Sequence, residues 1–198
     1  MNFTLSSVII RCCTYTTELE GGVLPMIFIS GVHGVGKSYF CNLVKEAIGI
    51  ECFSASSLIK ERKKHGFPAD KRVADIDENQ LYLLAAVDEL RTNLGEFLLD
   101  GHFCLLNTEG VITRIPIGTF TTLKPEAIIL LTEDPDVIAK RRQERDGVEH
   151  KASDIKAFQD EEVKYAKEVA ELLHVPLKIS EGSNDIENTV EFICSRRT

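Results

Sequence analysis

Apolar residues along this chain fall in short unbroken blocks that alternate with longer stretches in which they recur every third or fourth position. The blocks MIFIS (26–30), IECF (50–53), EFLLDGHF (96–103), AIILLT (127–132) and PLKIS (176–180) read as strands, because a strand buried on both faces shows continuous apolarity over a few residues. After the first block, Phe40, Leu43, Val44 and Ala47 lie on one helical face, and Gly49 marks the stop. SASSLIKERKKHG predicts a helix opened by one of its serines and ended by Gly66. The polar loop FPADKRVADI follows. Asp77 and Gln80 then have capping-box spacing before a helix carrying Leu81, Leu84, Ala85, Val87 and Leu90.

LLNTEGVITR (105–114) reads as a small hairpin turning at Glu109-Gly110. Asp134 before Pro135 is an N-cap with proline at the first helical position, predicting a helix to about Arg145. A long helix is expected from Ser153 to Leu173, and Asn184 with Glu187 forms a second capping box before a terminal helix. Strands alternating with helices imply an α/β fold with a five-stranded parallel sheet covered on both faces. Ligands then bind at the carboxyl edge, so site residues should follow strands.

A chain of 198 residues with 43% apolar content supports one domain with a substantial core. Residues 1–25 lack a basic segment followed by a long apolar one, so they do not read as a secretory signal. The expected organisation is a dispensable extension over 1–25, with Met26 as a candidate native start, and a domain over 26–198. An extra strand or hairpin at the sheet edge is the competing expectation for the extension. The net charge of −8 excludes a protein that coats nucleic acid over a wide surface, which needs clustered excess Lys and Arg. No apolar stretch approaches the roughly 20 residues that span a bilayer. Cys12, Cys13, Cys41, Cys52, Cys104 and Cys194 show no metal-ligand spacing, and the expectation is reduced thiols in a cytoplasmic protein.

The segment GVHGVGKS, Gly31 to Ser38, joins the first strand to the first helix and fits G-x-x-x-x-G-K-[ST] in the required strand-loop-helix context. Glycines let successive backbone amides turn toward a phosphate that also lies on the positive end of the helix dipole. Gly31, Gly34, Val35 and Gly36 form the expected loop, and Lys37, Ser38 and Tyr39 open the helix behind it. Lys37 would reach the β- and γ-phosphates, and Ser38 would hold magnesium. His33 sits at a variable loop position and is expected to be exposed and incidental. Asp100 ends the strand EFLLD, where a P-loop protein places the carboxylate that holds magnesium through water. A terminal Asp that only caps the next turn is the bland alternative.

The donor is then a nucleoside triphosphate, and two basic clusters bear on the acceptor. Between Lys60 and Arg72 six basic residues face two acidic ones, a net +4, and between Lys140 and Arg145 four face one, a net +3. Either cluster can be a solvated helix face. Arg141 and Arg145, four apart, share one face of the helix opened by Asp134-Pro135, where they could grip a transferring phosphoryl group.

These features together resemble the small P-loop nucleoside monophosphate kinases, specifically the archaeal-type and nuclear adenylate kinases. The resemblance rests on MIFISGVHGVGKS, the D-x-H step of FLLDGHF, the hairpin NTEGVITRIP and KPEAIILLTEDPDVIAKRRQERDG, and runs from Met26 to about Ser195. It implies a three-layer P-loop kinase fold with a monophosphate-binding flap at about 60–78 and a short lid at about 145–153. It also implies a triphosphate cradle of Gly34, Gly36, Lys37 and Ser38, and magnesium linked to Ser38 and Asp100. His102 would orient the acceptor, and Arg141 and Arg145 would clamp phosphate. Two departures stand out. VADIDENQ has Val73 and Ala74 where such enzymes place an arginine, with Arg72 displaced, and histidine replaces the proline or threonine usual in the middle of the loop.

A monophosphate is largely dianionic at neutral pH, its second pKa being about 6, and is already a nucleophile. Transfer from magnesium-ATP to such an acceptor needs alignment, charge neutralisation and exclusion of water more than a strong base. Two alternatives stay open: a kinase acting on a hydroxyl of a small metabolite or nucleoside, with Asp100 or the Asp100-His102 pair as base, and an ATPase switch whose partner is another protein.

Overall fold

The computed structural model describes residues 26–64, 78–107, 109–182 and 185–196. The extension over 1–25, most of the flap loop, Asp77, Arg72 and Asn184 lie outside them. Seven strands and seven helices alternate in the described residues: β1 (Met26–Ser30), α1 (Lys37–Ile48), β2 (Glu51–Ser54), α2 (Ala55–Lys64), α3 (Glu78–Asn93), β3 (Phe97–Asp100), β4 (Cys104–Leu106), β5 (Ile112–Arg114), α4 (Ile117–Leu123), β6 (Ala127–Thr132), α5 (Pro135–Asp146), α6 (Ala152–Leu173), β7 (Leu177–Glu181) and α7 (Ile186–Cys194).

Five strands form one parallel sheet in the order β2-β3-β1-β6-β7. The expected five-stranded α/β architecture is therefore the one observed. β1 lies at its centre with all five residues buried, which is why MIFIS tolerates no polar side chain before Ser30. β4 and β5 make the separate antiparallel hairpin, whose turn is held by the Asn107 carboxamide accepting from the Glu109 and Val111 amides.

Local chemistry explains the helix ends that matter for the site. The Asp134 carboxylate accepts from the Asp136 amide at 2.8 Å and Pro135 occupies the first turn, so α5 starts where the sequence predicts. The α1 helix ends at Gly49 with φ 75°, a left-handed stop. The expected lid falls on the end of α5 and the short connection over 147–151. Cys41, Cys52 and Cys104 are free thiols, in line with the reduced state expected of them. Among the described residues no helix is long and apolar enough to cross a membrane.

Below the carboxyl edge of the sheet, Phe28, Phe103 and Phe120 pack with ring centroids 4.9 to 5.5 Å apart. Gly101 lies against this cluster so closely that a Cβ there would stand 2.7 Å from the Phe28 ring. The backbone between Asp100 and Phe103 is thereby pressed onto the aromatic floor.

Candidate active site

The turn from β1 into α1 places three glycines at positive φ, Gly31, Gly34 and Gly36, and closes with the Val35 amide donating to the Val32 carbonyl at 3.2 Å. Lys37 is the first residue of α1 and is 8% exposed; its ammonium donates to the Gly31 carbonyl at 2.6 Å and lies 3.8 Å from an Asp100 carboxylate oxygen. Burial pushes the Lys37 pKa down, against the attraction of Asp100 and Glu162, and burial pushes the Asp100 pKa up, against Lys37 and His102. Both groups thus hold charge at a cost that a polyanionic ligand would offset for the lysine.

A cavity of about 580 Å³ opens in front of this pair. Gly34, Gly36, Lys37, Ser38 and Tyr39 line it on the loop side, Asp100 and His102 at the end of β3, and Arg145 from α5. Its far wall is largely apolar and carries one buried amide, Gln80, whose carbonyl oxygen has no hydrogen-bond partner among the described residues. Ser38 is exposed and, with the Asp100 carboxylate, presents hard oxygen ligands to one cavity. Such a pair fits magnesium, which takes few protein oxygens and keeps waters and substrate phosphates.

The two arginines expected to act together part company. Arg141 turns to the other side of the loop, donating to the Val35 carbonyl at 3.3 Å and pairing with Glu133 at 3.1 Å, beside a second cavity of about 280 Å³ lined by Tyr39, Ser180 and Gly182. Arg145 reaches the large cavity but also grips the adjacent Asp146 carboxylate at 2.6 Å. Between them Arg142, which the sequence did not single out, donates to the His33 carbonyl at 2.8 Å and leaves one buried guanidinium nitrogen without a partner among the described residues. A buried cationic nitrogen without a partner beside a phosphate-type loop is a mark of an anion site.

His33 is exposed, as expected, but it is not isolated. Its ring packs at a tilt of 52° against His102 with centroids 4.5 Å apart. Although the residue keeps an exposed edge, its pKa is lowered to about 4, first by desolvation where the neighbouring groups cover the imidazole and then by His102, Lys37, Arg142 and Arg145. In the unfolded chain a histidine titrates near 6.5, so between that value and about 4 the unfolded state binds the extra proton and stability falls with pH. The urea midpoint should therefore drop as pH falls through this window, and His33→Gln should flatten that drop; an unchanged acid limb in the variant would remove His33 as its source.

Glu162 is a second residue the sequence left unassigned. It sits on α6 with no exposed surface; its carboxylate accepts from the Ser30 hydroxyl at 2.7 Å, the Phe103 amide at 3.2 Å and the Cys104 amide at 3.1 Å.

A sequence profile described as AAA domain matches residues 30–159. A protein named adenylate kinase from Pyrobaculum aerophilum is 26% identical over 123 residues, covering 59% of this chain and 62% of that protein, so the chain spans less than two thirds of that relative's length. A crystal structure titled as a gluconokinase from Sinorhizobium meliloti superposes with a TM-score of 0.52 at 16% identity, covering 88% of this chain and 95% of that one. An uncharacterized protein from Eubacterium ventriosum gives 0.50 at 15% identity over 88% and 98%. At these identities the likeness to solved structures is one of fold.

Proposed function

The chain belongs to the AAA-domain family, and from that premise we propose that it transfers the terminal phosphoryl group of magnesium-ATP to a nucleoside monophosphate. The observation that carries this reading is the build of the large cavity. A phosphate cradle with Lys37 and Asp100 closes one end, and Phe28, Leu83, Phe120 and Leu123 line the other with the buried Gln80 amide among them. A slot walled by rings and aliphatic chains suits a flat heterocycle, and one amide at its edge suits a base edge carrying both a donor and an acceptor. Ser54, Ser56, Asn79 and Thr119 also line the cavity and could serve the hydroxyls of a ribose or of another acceptor, so it is the aromatic and aliphatic wall that favours a heterocycle.

On this reading the loop amides and Lys37 hold the donor phosphates, and Arg145 approaches from α5 to the transferring group. Ser38 and Asp100 would hold magnesium, which when bound neutralises charge on the donor phosphates. His102 lies beside the point where the acceptor phosphate meets the cradle. The dianionic acceptor needs no strong base, so the work of the residues is alignment and charge neutralisation in a site closed to water. The likeness to the adenylate kinase from Pyrobaculum aerophilum supports the reading. A hydroxyl kinase using Asp100 as base is the second reading; its supports are the raised Asp100 pKa and the fold shared with the gluconokinase.

Product analysis with magnesium-ATP and a panel of AMP, CMP, GMP, UMP and gluconate tests both. Rapid appearance of one nucleoside diphosphate is the expected result, with an amino-bearing base, adenine, cytosine or guanine, preferred over uracil. Gln80→Leu should then lower kcat/KM for that acceptor about tenfold to a hundredfold while leaving the poorer acceptors nearly unchanged. Phosphogluconate as the product would establish the hydroxyl kinase, and slow phosphate release with no acceptor dependence would leave only the ATPase switch.

A further inference from the structure

Glu162 raises a question that packing does not answer. A carboxylate with no exposed surface carries a large desolvation cost, and its hydrogen-bond donors, the Ser30 hydroxyl and the Phe103 and Cys104 amides, are all neutral. The nearest titratable nitrogen is His102 Nδ1, 3.6 Å from Glu162 Oε1. That Nδ1 is buried and has no hydrogen-bond partner among the described residues, while the His102 side chain lines the large cavity and packs at a tilt against the His33 ring. One edge of the imidazole therefore faces a buried carboxylate and the ring borders the proposed acceptor. A gap of 3.6 Å is too long for a hydrogen bond, and such contacts commonly tighten when substrate binds.

We infer that Glu162 is a positioning residue that keeps the His102 proton on Nδ1 and the Nε2 lone pair free on the cavity side. The inference rests on the functional reading above for its kinetic consequence but not for its tautomer. An imidazole whose Nδ1–H is directed at a carboxylate is fixed in ring orientation and in tautomer, because the carboxylate is an acceptor only. The same carboxylate pins the backbone after His102 through the Phe103 and Cys104 amides and ties it to β1 through Ser30, so ring and loop share one anchor.

Substitution Glu162→Gln separates the two roles. Oε1 is both the acceptor of the Phe103 and Cys104 amides and the oxygen nearest Nδ1, so glutamine keeps its oxygen there and turns its NH2 group toward the Ser30 hydroxyl. It then offers Nδ1 only a neutral, weaker acceptor, which lets the ring relax toward the tautomer protonated at Nε2 that a free imidazole prefers. Nitrogen-15 NMR of the full chain at about pH 8, where imidazoles are neutral, reads the tautomer directly, with His102→Asn assigning the signal. The wild type should show the proton on Nδ1, and Glu162→Gln should move it toward Nε2. Ser30→Ala, which removes another partner of Glu162 without touching His102, should lower the melting temperature and leave the tautomer alone. In the kinase assay Glu162→Gln should lower kcat about tenfold to a hundredfold, in the range seen for outer-shell partners of functional histidines, and should cost nothing further in a His102→Asn background. A wild-type His102 already protonated on Nε2, a tautomer equal in wild type and Glu162→Gln, or kcat losses that multiply in the double variant would each overturn the inference. Because the wild-type spectrum alone can overturn it, a variant that fails to fold leaves the test standing. A protein without kinase activity that still shows the tautomer shift would refute the functional reading and keep this one.

Discussion

Lys37→Ala should abolish phosphoryl transfer while the protein stays folded. The ammonium is buried between the Gly31 carbonyl at 2.6 Å and the Asp100 carboxylate at 3.8 Å, at the mouth of the loop where donor phosphates would lie. On the proposed reading it is the buried cation of the phosphate cradle, and removing one preorganised charge from such a site costs on the order of a thousandfold in kcat. Stability should change far less. Burial pulls the Lys37 pKa down, so the folded state already holds this charge at a cost, and truncation removes that cost together with two contacts. Asp100 is the residue left worse off. Its pKa is raised by burial and loses the opposing pull of Lys37, so it should rise further in the variant. A raised carboxyl contributes stability below its unfolded value that is lost as pH rises through the folded one, so Lys37→Ala should lose melting temperature relative to wild type more at neutral than at acid pH. Turnover near the wild-type rate would mean that the loop does not hold the donor.

The sheet and the loop were legible because their signals are local. Continuous apolar blocks mark strands buried on both faces, and the glycine spacing marks the loop whatever surrounds it. β2 falls one residue later than IECF because Ile50 is buried without joining the ladder, which starts at the Glu51–Phe97 pair. The short helix α4 escaped notice because IGTFTTL carries β-branched residues and a glycine, and its helicity depends on burying Thr119, Phe120 and Leu123. Site residues were less legible where their roles depend on neighbours far along the chain. Gln80 read as half of a capping box, yet it is buried and lines the large cavity. Arg141 and Arg145 share a helical face by spacing, but the loop passes between their side chains and Arg142 takes the place against it. Glu162 did leave a trace that went unused: it falls on the apolar stripe of Ile155, Phe158, Tyr165, Ala166 and Val169, where a carboxylate is out of place unless something holds it.

Gly31→Ala should be the most damaging added methyl among the described glycines, destabilising the fold by about 3 kcal/mol and removing nucleotide binding with it. Two costs coincide there. The residue has φ 147°, which an L side chain rarely adopts, and an added Cβ would stand 2.6 Å from the Leu131 carbonyl oxygen and 3.0 Å from a Val35 methyl. The first obstacle is backbone of β6, whose neighbouring residues are locked to β1 by the parallel register of Ser30 with Leu130, so it cannot move aside as a flexible side chain would. Relief has to come from the loop, and rotating Gly31 redirects its carbonyl, the acceptor for Lys37, along with the amides that follow. Loss of stability and loss of binding should therefore appear together, unlike in Lys37→Ala, where they separate. Gly95→Ala is the control, since a Cβ there meets nothing within 4 Å and φ is unrestricted, and it should stay within about 0.5 kcal/mol of wild type. Urea unfolding paired with calorimetric titration of magnesium-ATP decides the matter: a Gly31→Ala protein as stable as the control and still binding ATP would mean that the loop takes a different path from β1 into α1.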